Sequence, residues 1–255
     1  MYNAFTPSQF SKHNEIVLTP WNSPEGIRRL ERSKHKASFY QLAHHFQPQI
    51  NPLYCGIATS VIVLNALRAP QGTIPSQKPL EVKLPKVWGG DVLTYEGYSQ
   101  TTFLNAETDK VKPREVIQLK NARGKDVNPK DLDPGLSLKT LKQMLEVYGA
   151  KASLHHADKR PAAGIRSFRS TVMRVLNETA RFVVVNFRGE SMGAPTGGHI
   201  SPLGAYDVKS DSVLILDVYG LENSWYWAPV DHLYHAMATL DNGVARGWLI
   251  VEDQD

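Results

Sequence analysis

The chain has 255 residues, 42% of them hydrophobic, a formal net charge of +4 and a single cysteine. That length suits one domain with a real core; no run approaches the roughly 18 apolar residues of a membrane helix, and one cysteine excludes an internal disulfide and a cysteine-cluster zinc site. Basic residues are scattered without interleaved aromatics, so neither nucleic acid nor membrane is an expected partner.

The N-terminal stretch MYNAFTPSQFSKHNE lacks the apolar segment of a signal peptide. With the lone thiol this favours a reducing compartment, and a cytoplasmic location is expected, although a trimmed export signal would leave the same sequence. Residues 24–45 read as helix, with Ser23 as N-cap and Pro24 at the first helical position. The segment QPQINPLY then leads into Cys55–Leu67, a second helix apolar on nearly all sides and so expected to be buried. Residues 70–135 are polar and rich in turns, with a helix over Asn105–Ile117 interrupted by Pro113. Ser137–Tyr148 is amphipathic, capped by Ser137 and ended by Gly149; Arg166–Glu178 is a further helix. The texture changes after that. Arg181–Phe187, His199–Asp207, Val213–Tyr219 and Gly247–Glu252 are short, apolar and rich in β-branched residues, as strands of one antiparallel sheet would be. Helices first and a sheet after them predict an α+β domain, with a helical lobe over about 20–178 and a sheet lobe over about 179–255.

Cys55 stands where the polar segment becomes a helix, the place at which unpaired N–H groups and the positive dipole end favour a thiolate. Gly56 behind it leaves room for a substrate to approach. A nucleophile also needs a base and a group to orient that base. Of nine histidines, His44, His45, His155 and His156 lie in polar surroundings that suit a surface. His199 instead follows PTGG and opens a strand, with Gly198 beside it as a candidate substrate contact. Asp217 lies in an apolar strand, where a carboxylate is costly without a partner. A turn at Lys209–Asp211 brings Asp217 opposite a residue near Pro202 or Leu203. Perfect register would leave it about 10 Å from His199, and a bulge at Pro202 would close that gap. From the residues alone, a Cys–His–Asp site and a structural thiol with a capping imidazole both remain open.

QINPLYCGIATSVIVLNAL, TGGHISPLGAYD and SVLILDV, in this order, resemble the phytochelatin synthase family, over about Phe39–Leu67 and Arg181–Val251. The resemblance implies a papain-like fold and a glutathione γ-glutamylcysteinyl transferase. It implies Cys55 as nucleophile, His199 as general base and acid, and Asp217 as the residue that orients the imidazole. Gln49, with the Cys55 N–H, would bind the oxyanion. Glutathione is the implied partner, and a homodimer is one assembly open to such a chain. No metal-ligand spacing and no tightly bound cofactor are expected; heavy-metal ions such as Cd2+ or Zn2+ would act as activators or as partners of substrate thiolates. Arg188 resembles a family arginine that would pair with a glutathione carboxylate.

The chain departs from the family pattern at Gly220, where an arginine is common, and it lacks a cysteine-rich C-terminal region. In this it is like the short bacterial members, for which hydrolysis of glutathione dominates. Asn223, in ENSWYW, is a rival to Asp217 as orienting residue. Trp88, Gly89 and Gly90 are either cleft-lining residues or, the reading preferred here, a packed tryptophan with a turn. A cysteine peptidase on other peptides and a non-catalytic module that binds thiol ligands are the alternatives in function.

Overall fold

The computed structural model describes residues 18–72, 80–95, 97–120, 133–157, 161–220 and 225–254. A two-residue edge strand, β1 (Thr19–Pro20), leads to α1 (Pro24–Arg32). Ser23 caps α1 by accepting from the Gly26 N–H, with Pro24 in the first turn, as the sequence predicts. The single helix expected over 24–45 breaks at Ser33. The Ser33 hydroxyl donates to the Tyr206 carbonyl, and the Tyr206 N–H donates to the His35 carbonyl. These long-range bonds pull residues 33–36 out of the helix, which resumes as α2 (Ala37–His44). The freed carbonyls of Leu30 and Glu31 accept from the Lys36 ammonium.

Helix α3 (Cys55–Arg68) is buried along its whole length. Each large aliphatic side chain so buried contributes about 1.5–3 kcal/mol. Its C-terminal end is closed by Arg68, which pairs with Asp253 and donates to the Tyr148 carbonyl. The turn-rich region holds a separate hairpin, β2 (Leu80–Lys83) and β3 (Val92–Tyr95), and short helices α4 (Gln100–Phe103), α5 (Ala106–Val111) and α6 (Arg114–Ile117). Pro113 separates α5 from α6, as expected. Helix α7 (Leu138–Val147) is capped by Ser137 and followed by Gly149 in a left-handed conformation.

Next comes a strand that the sequence reading missed, β4 (Ala150–His156), in which Ala150 and Ala152 face the core while Lys151 is exposed. Helix α8 (Pro161–Val175) starts and ends earlier than the expected 166–178. The remaining elements are β5 (Arg181–Arg188), β6 (Gly198–Asp207), β7 (Ser212–Ile215), β8 (Tyr226–Pro229), α9 (Val230–Met237), the short pair β9 (Leu240–Asp241) and β10 (Val244–Ala245), and β11 (Gly247–Asp253). Seven strands form one sheet in the order β1-β8-β7-β6-β5-β11-β4, and every neighbouring pair is antiparallel.

Helices cover both faces. On one, α3 and α7 pack over a core that includes Phe182, Val184, Ile200 and Leu249; on the other, α8 and α9 cover Val183, Val185, Leu203 and Trp248. The architecture is α+β, but the chain does not divide into lobes near residue 178. β1 and β4 join the sheet from the N-terminal part, and α8 packs with α9 on the far face. No described helix is long and apolar enough to cross a membrane.

Candidate active site

Cys55 is the first residue of α3 and is 9% exposed. Two hydrogen bonds hold this helix start against the sheet. Thr59, one turn on, donates to the Ile200 carbonyl at 3.1 Å, beside His199. The Gln49 N–H donates to the Val218 carbonyl at 2.7 Å, beside Asp217. Cys55 is thus fixed relative to β6, which carries His199, and to the segment just beyond β7, which carries Asp217.

A bulge decides whether His199 and Asp217 meet. Near the turn, Tyr206 pairs with Val213 and Ala205 with Leu214; beyond it, Leu203 pairs with Ile215, so Gly204 is the extra residue. Without it, Asp217 would stand across from Pro202, on the face away from His199. With it, the register sets Asp217 across from Ser201, two residues from His199 on the same face. Pairing runs on past Ile215: the Leu216 N–H donates to the Pro202 carbonyl and the Val218 N–H to the Ser201 hydroxyl. The bulge falls at Gly204 and not at the expected Pro202. A Cβ on Gly204 would lie 3.1 Å from the Leu216 side chain, so glycine lets the bulged strand pass.

The result is a bond of 2.8 Å between His199 Nε2 and Asp217 Oδ1, with Asp217 0% exposed. The carboxylate only accepts, so Nε2 carries the hydrogen and Nδ1 is left as the ring's acceptor. Cys55 lines the same cavity as the imidazole, and its thiol favours the charged ring. Burial pulls the imidazole down, but Asp217 and Cys55 outweigh it and push His199 up to about 10. Burial raises Asp217, yet His199, the Tyr219 N–H and Tyr226 hold it below its ordinary value. The Tyr226 hydroxyl and Asp217 Oδ2 are both buried, and each lacks a hydrogen-bond partner in the structure.

Cys55 and His199 open on a cavity of about 260 Å³ whose walls include Leu136, Asn186, Gly198, Asp241 and Arg246. A second cavity of about 270 Å³, reaching Lys139 and His156, shares Asn186, Asp241 and Arg246 with it. Arg246 is almost fully buried. It donates to the Leu240 carbonyl and to Thr239, lies 3.7 Å from Asp241, and keeps its Nε without a partner. Burial draws it below its ordinary value. The sequence reading missed Asp241, Arg246 and Asn186. A signal was present in VARGWLIV, where a cation opens an apolar strand and therefore calls for a partner.

Other candidates fall differently. Gly198 lines the cavity, and a Cβ there would come within 3.0 Å of Arg246 Nη2, so this glycine admits the guanidinium. Gly56 does not leave room for a substrate: a Cβ on it would meet Leu136 at 3.0 Å and Ile200 at 3.3 Å, so it serves packing. Gln49 is buried off the cavity wall; its Nε2 donates to the Asn51 carbonyl at 3.0 Å. Arg188 does not line the cavity either. Its side chain is 53% exposed and paired with Glu190. Gly220 has φ +67°, and a Cβ on it would lie 2.4 Å from Pro48, which is why the arginine common in the family has no place here. Trp88 neither lines the cleft nor packs, being 70% exposed above a turn in which Gly89 and Gly90 have positive φ. Asn223 lies outside the described residues.

A family model of phytochelatin synthase matches residues 13–248. A glutathione gamma-glutamylcysteinyltransferase 1 of Lotus japonicus is 28% identical over 217 residues, 84% of this chain and 36% of the relative. A glutathione gamma-glutamylcysteinyltransferase of Schizosaccharomyces pombe is 22% identical over 231 residues, 89% of this chain and 46% of the relative. The chain thus spans less than half the length of these curated relatives. Among solved structures, xylellain, a cysteine protease from Xylella fastidiosa, aligns over 97% of this chain and 94% of its own at 11% identity, with a TM-score of 0.38.

Proposed function

Because this chain belongs to the phytochelatin synthase family, we propose that it cleaves the Cys–Gly amide of glutathione through a γ-Glu-Cys acyl-enzyme. The observation that carries the reading is an imidazole bonded to a buried carboxylate and sharing one cavity wall with Cys55, the thiol at the start of α3. His199 takes the thiol proton, and Cys55 Sγ forms a bond to the carbonyl carbon. The Cys55 N–H, at a helix start, stabilises the oxyanion. As the C–N bond breaks, the imidazolium gives its proton to the glycine nitrogen. Water or the amine of a second glutathione then attacks the thioester, His199 takes that proton, and Cys55 leaves. Throughout, Asp217 holds the ring's tautomer and its charged form.

The γ-glutamyl end of glutathione carries an ammonium and a carboxylate. Asp241 and Arg246, side by side in the cavity wall, complement that pair, and Arg246 takes the role expected of Arg188. The test is incubation of the purified protein with glutathione, with and without Cd2+, followed by mass spectrometry. Free glycine with γ-Glu-Cys is the expected product, with peptides lengthened by γ-Glu-Cys units where the acceptor is a second glutathione. Cys55→Ser should lower turnover at least about 10³-fold. Glutathione left intact by the wild type would overturn the reading.

A further inference from the structure

We propose that Tyr226 is a positioning residue of this site: its hydroxyl donates to Asp217 Oδ2 and so holds the carboxylate with Oδ1 toward His199. The inference rests on Cys55, His199 and Asp217 acting as one unit, as proposed above, but not on glutathione being the substrate.

Register provides the first support. Tyr226 pairs with Ile215 across β7 and β8. Directly opposed residues share a face, and Asp217 is two residues beyond Ile215. Tyr226 is therefore the diagonal neighbour of Asp217 on the face that carries His199. Hydrogen-bond accounting provides the second. Asp217 Oδ1 is taken by His199 and by the Tyr219 N–H, at 2.8 Å each. Oδ2 is buried without a partner, and so is the Tyr226 hydroxyl. A buried carboxylate oxygen without a donor is costly, and so is a buried phenol without an acceptor. Each supplies what the other lacks. Burial, together with the charge of Asp217, keeps the phenol protonated, and a protonated phenol is a donor.

Among the described residues, the titratable groups around this carboxylate are few. They are His199 on β6, Tyr226 on β8, Tyr219 in the following turn with its ring 6.5 Å from the imidazole, and Cys55 on α3 through His199. Removing a donor from a carboxylate makes it take up a proton more readily. A protonated Asp217 no longer stabilises the imidazolium, so the loss should show first in acid.

The experiment is the rate of Cys55 alkylation by iodoacetamide against pH. It needs no substrate, and the chain's single cysteine makes it unambiguous. Tyr226→Phe should move the acid limb upward by about one pH unit, a reaction about tenfold slower at the foot of the limb. In an Asp217→Asn background the same change should add nothing, because the coupled partner is gone. Should Tyr226→Phe fold poorly by its melting temperature, 3-fluorotyrosine at position 226 keeps the shape and strengthens the donor. It should move the limb down. Three results would each overturn the proposal: superimposed profiles for wild type and Tyr226→Phe, an effect of Tyr226→Phe that is as large in the Asp217→Asn background as in the wild type, or a 3-fluorotyrosine shift that is absent or upward. A wild type that alkylates with the expected profiles but leaves glutathione intact would overturn the proposed function alone.

Discussion

Within the site, two arginines offer themselves to an anionic substrate group, and burial separates them. Arg188 is open to solvent and already paired with Glu190; water and a neighbour satisfy it, and such pairs contribute little. Arg246 is enclosed, and one of its nitrogens has no partner. An enclosed guanidinium with a spare donor gains more from a carboxylate than an exposed one does. Arg246→Gln should therefore raise KM for glutathione about tenfold or more, while Arg188→Gln should change it by less than about twofold. Steady-state kinetics on the two variants check this. Equal effects would return Arg188 to the substrate.

At the scale of elements, the bulge in β6 is the device on which the site depends. A strand pair presents alternate residues to opposite faces, so one extra residue moves Asp217 from the far face to that of His199. Gly204 suits the bulge because a Cβ there would press on the Leu216 side chain at 3.1 Å. Gly204→Val should cost about 1–3 kcal/mol by overpacking. It should also lower kcat by far more than that stability loss explains, because relief of the clash straightens the pair and turns Asp217 away. Urea unfolding and turnover, measured together, separate the two effects. A variant with weakened stability but normal kcat would show that the bulge does not set the dyad.

For the whole molecule, the N-terminal helices are held to the sheet by charge as well as by apolar packing. Arg32 on α1 reaches Asp207 at the end of β6 with two bonds, Nη2 to Oδ2 at 2.6 Å and Nε to Oδ1 at 3.0 Å. Burial raises Asp207, but Arg32 and Ser210 hold it below its ordinary value. A carboxyl lowered on folding adds stability above its unfolded value, near pH 4, and loses it as pH falls through the folded one. Arg32→Ala should lower the melting temperature by several degrees at pH 7. The difference from wild type should shrink below about pH 4, as Asp207 takes up a proton. Thermal unfolding across pH 2–7 measures it; a difference independent of pH would assign the effect to packing of the Arg32 stem.

Much of this was readable in the residues, and the parts that were share a property. Ser23, Ser137, Pro113 and Gly149 act on their own backbone within a turn, so their caps and breaks follow from local chemistry. Cys55 at the start of an apolar helix and Asp217 in an apolar strand are anomalies visible without a fold, and the family resemblance joined them to His199. What the sequence did not disclose depends on contacts between distant segments. The break at Ser33 exists because β6 supplies Tyr206; β4 was hidden because half of its residues face solvent and read as polar. The position of the bulge, the packing role of Gly56 and the approach of Arg246 to the cavity arise from neighbours tens to hundreds of residues away. The sequence by itself determined which chemical groups this protein holds and the local elements that carry them. Only the tertiary structure decided which face Asp217 takes and which arginine reaches the cavity, because sheet register and burial are properties of the assembled layers and not of any one segment.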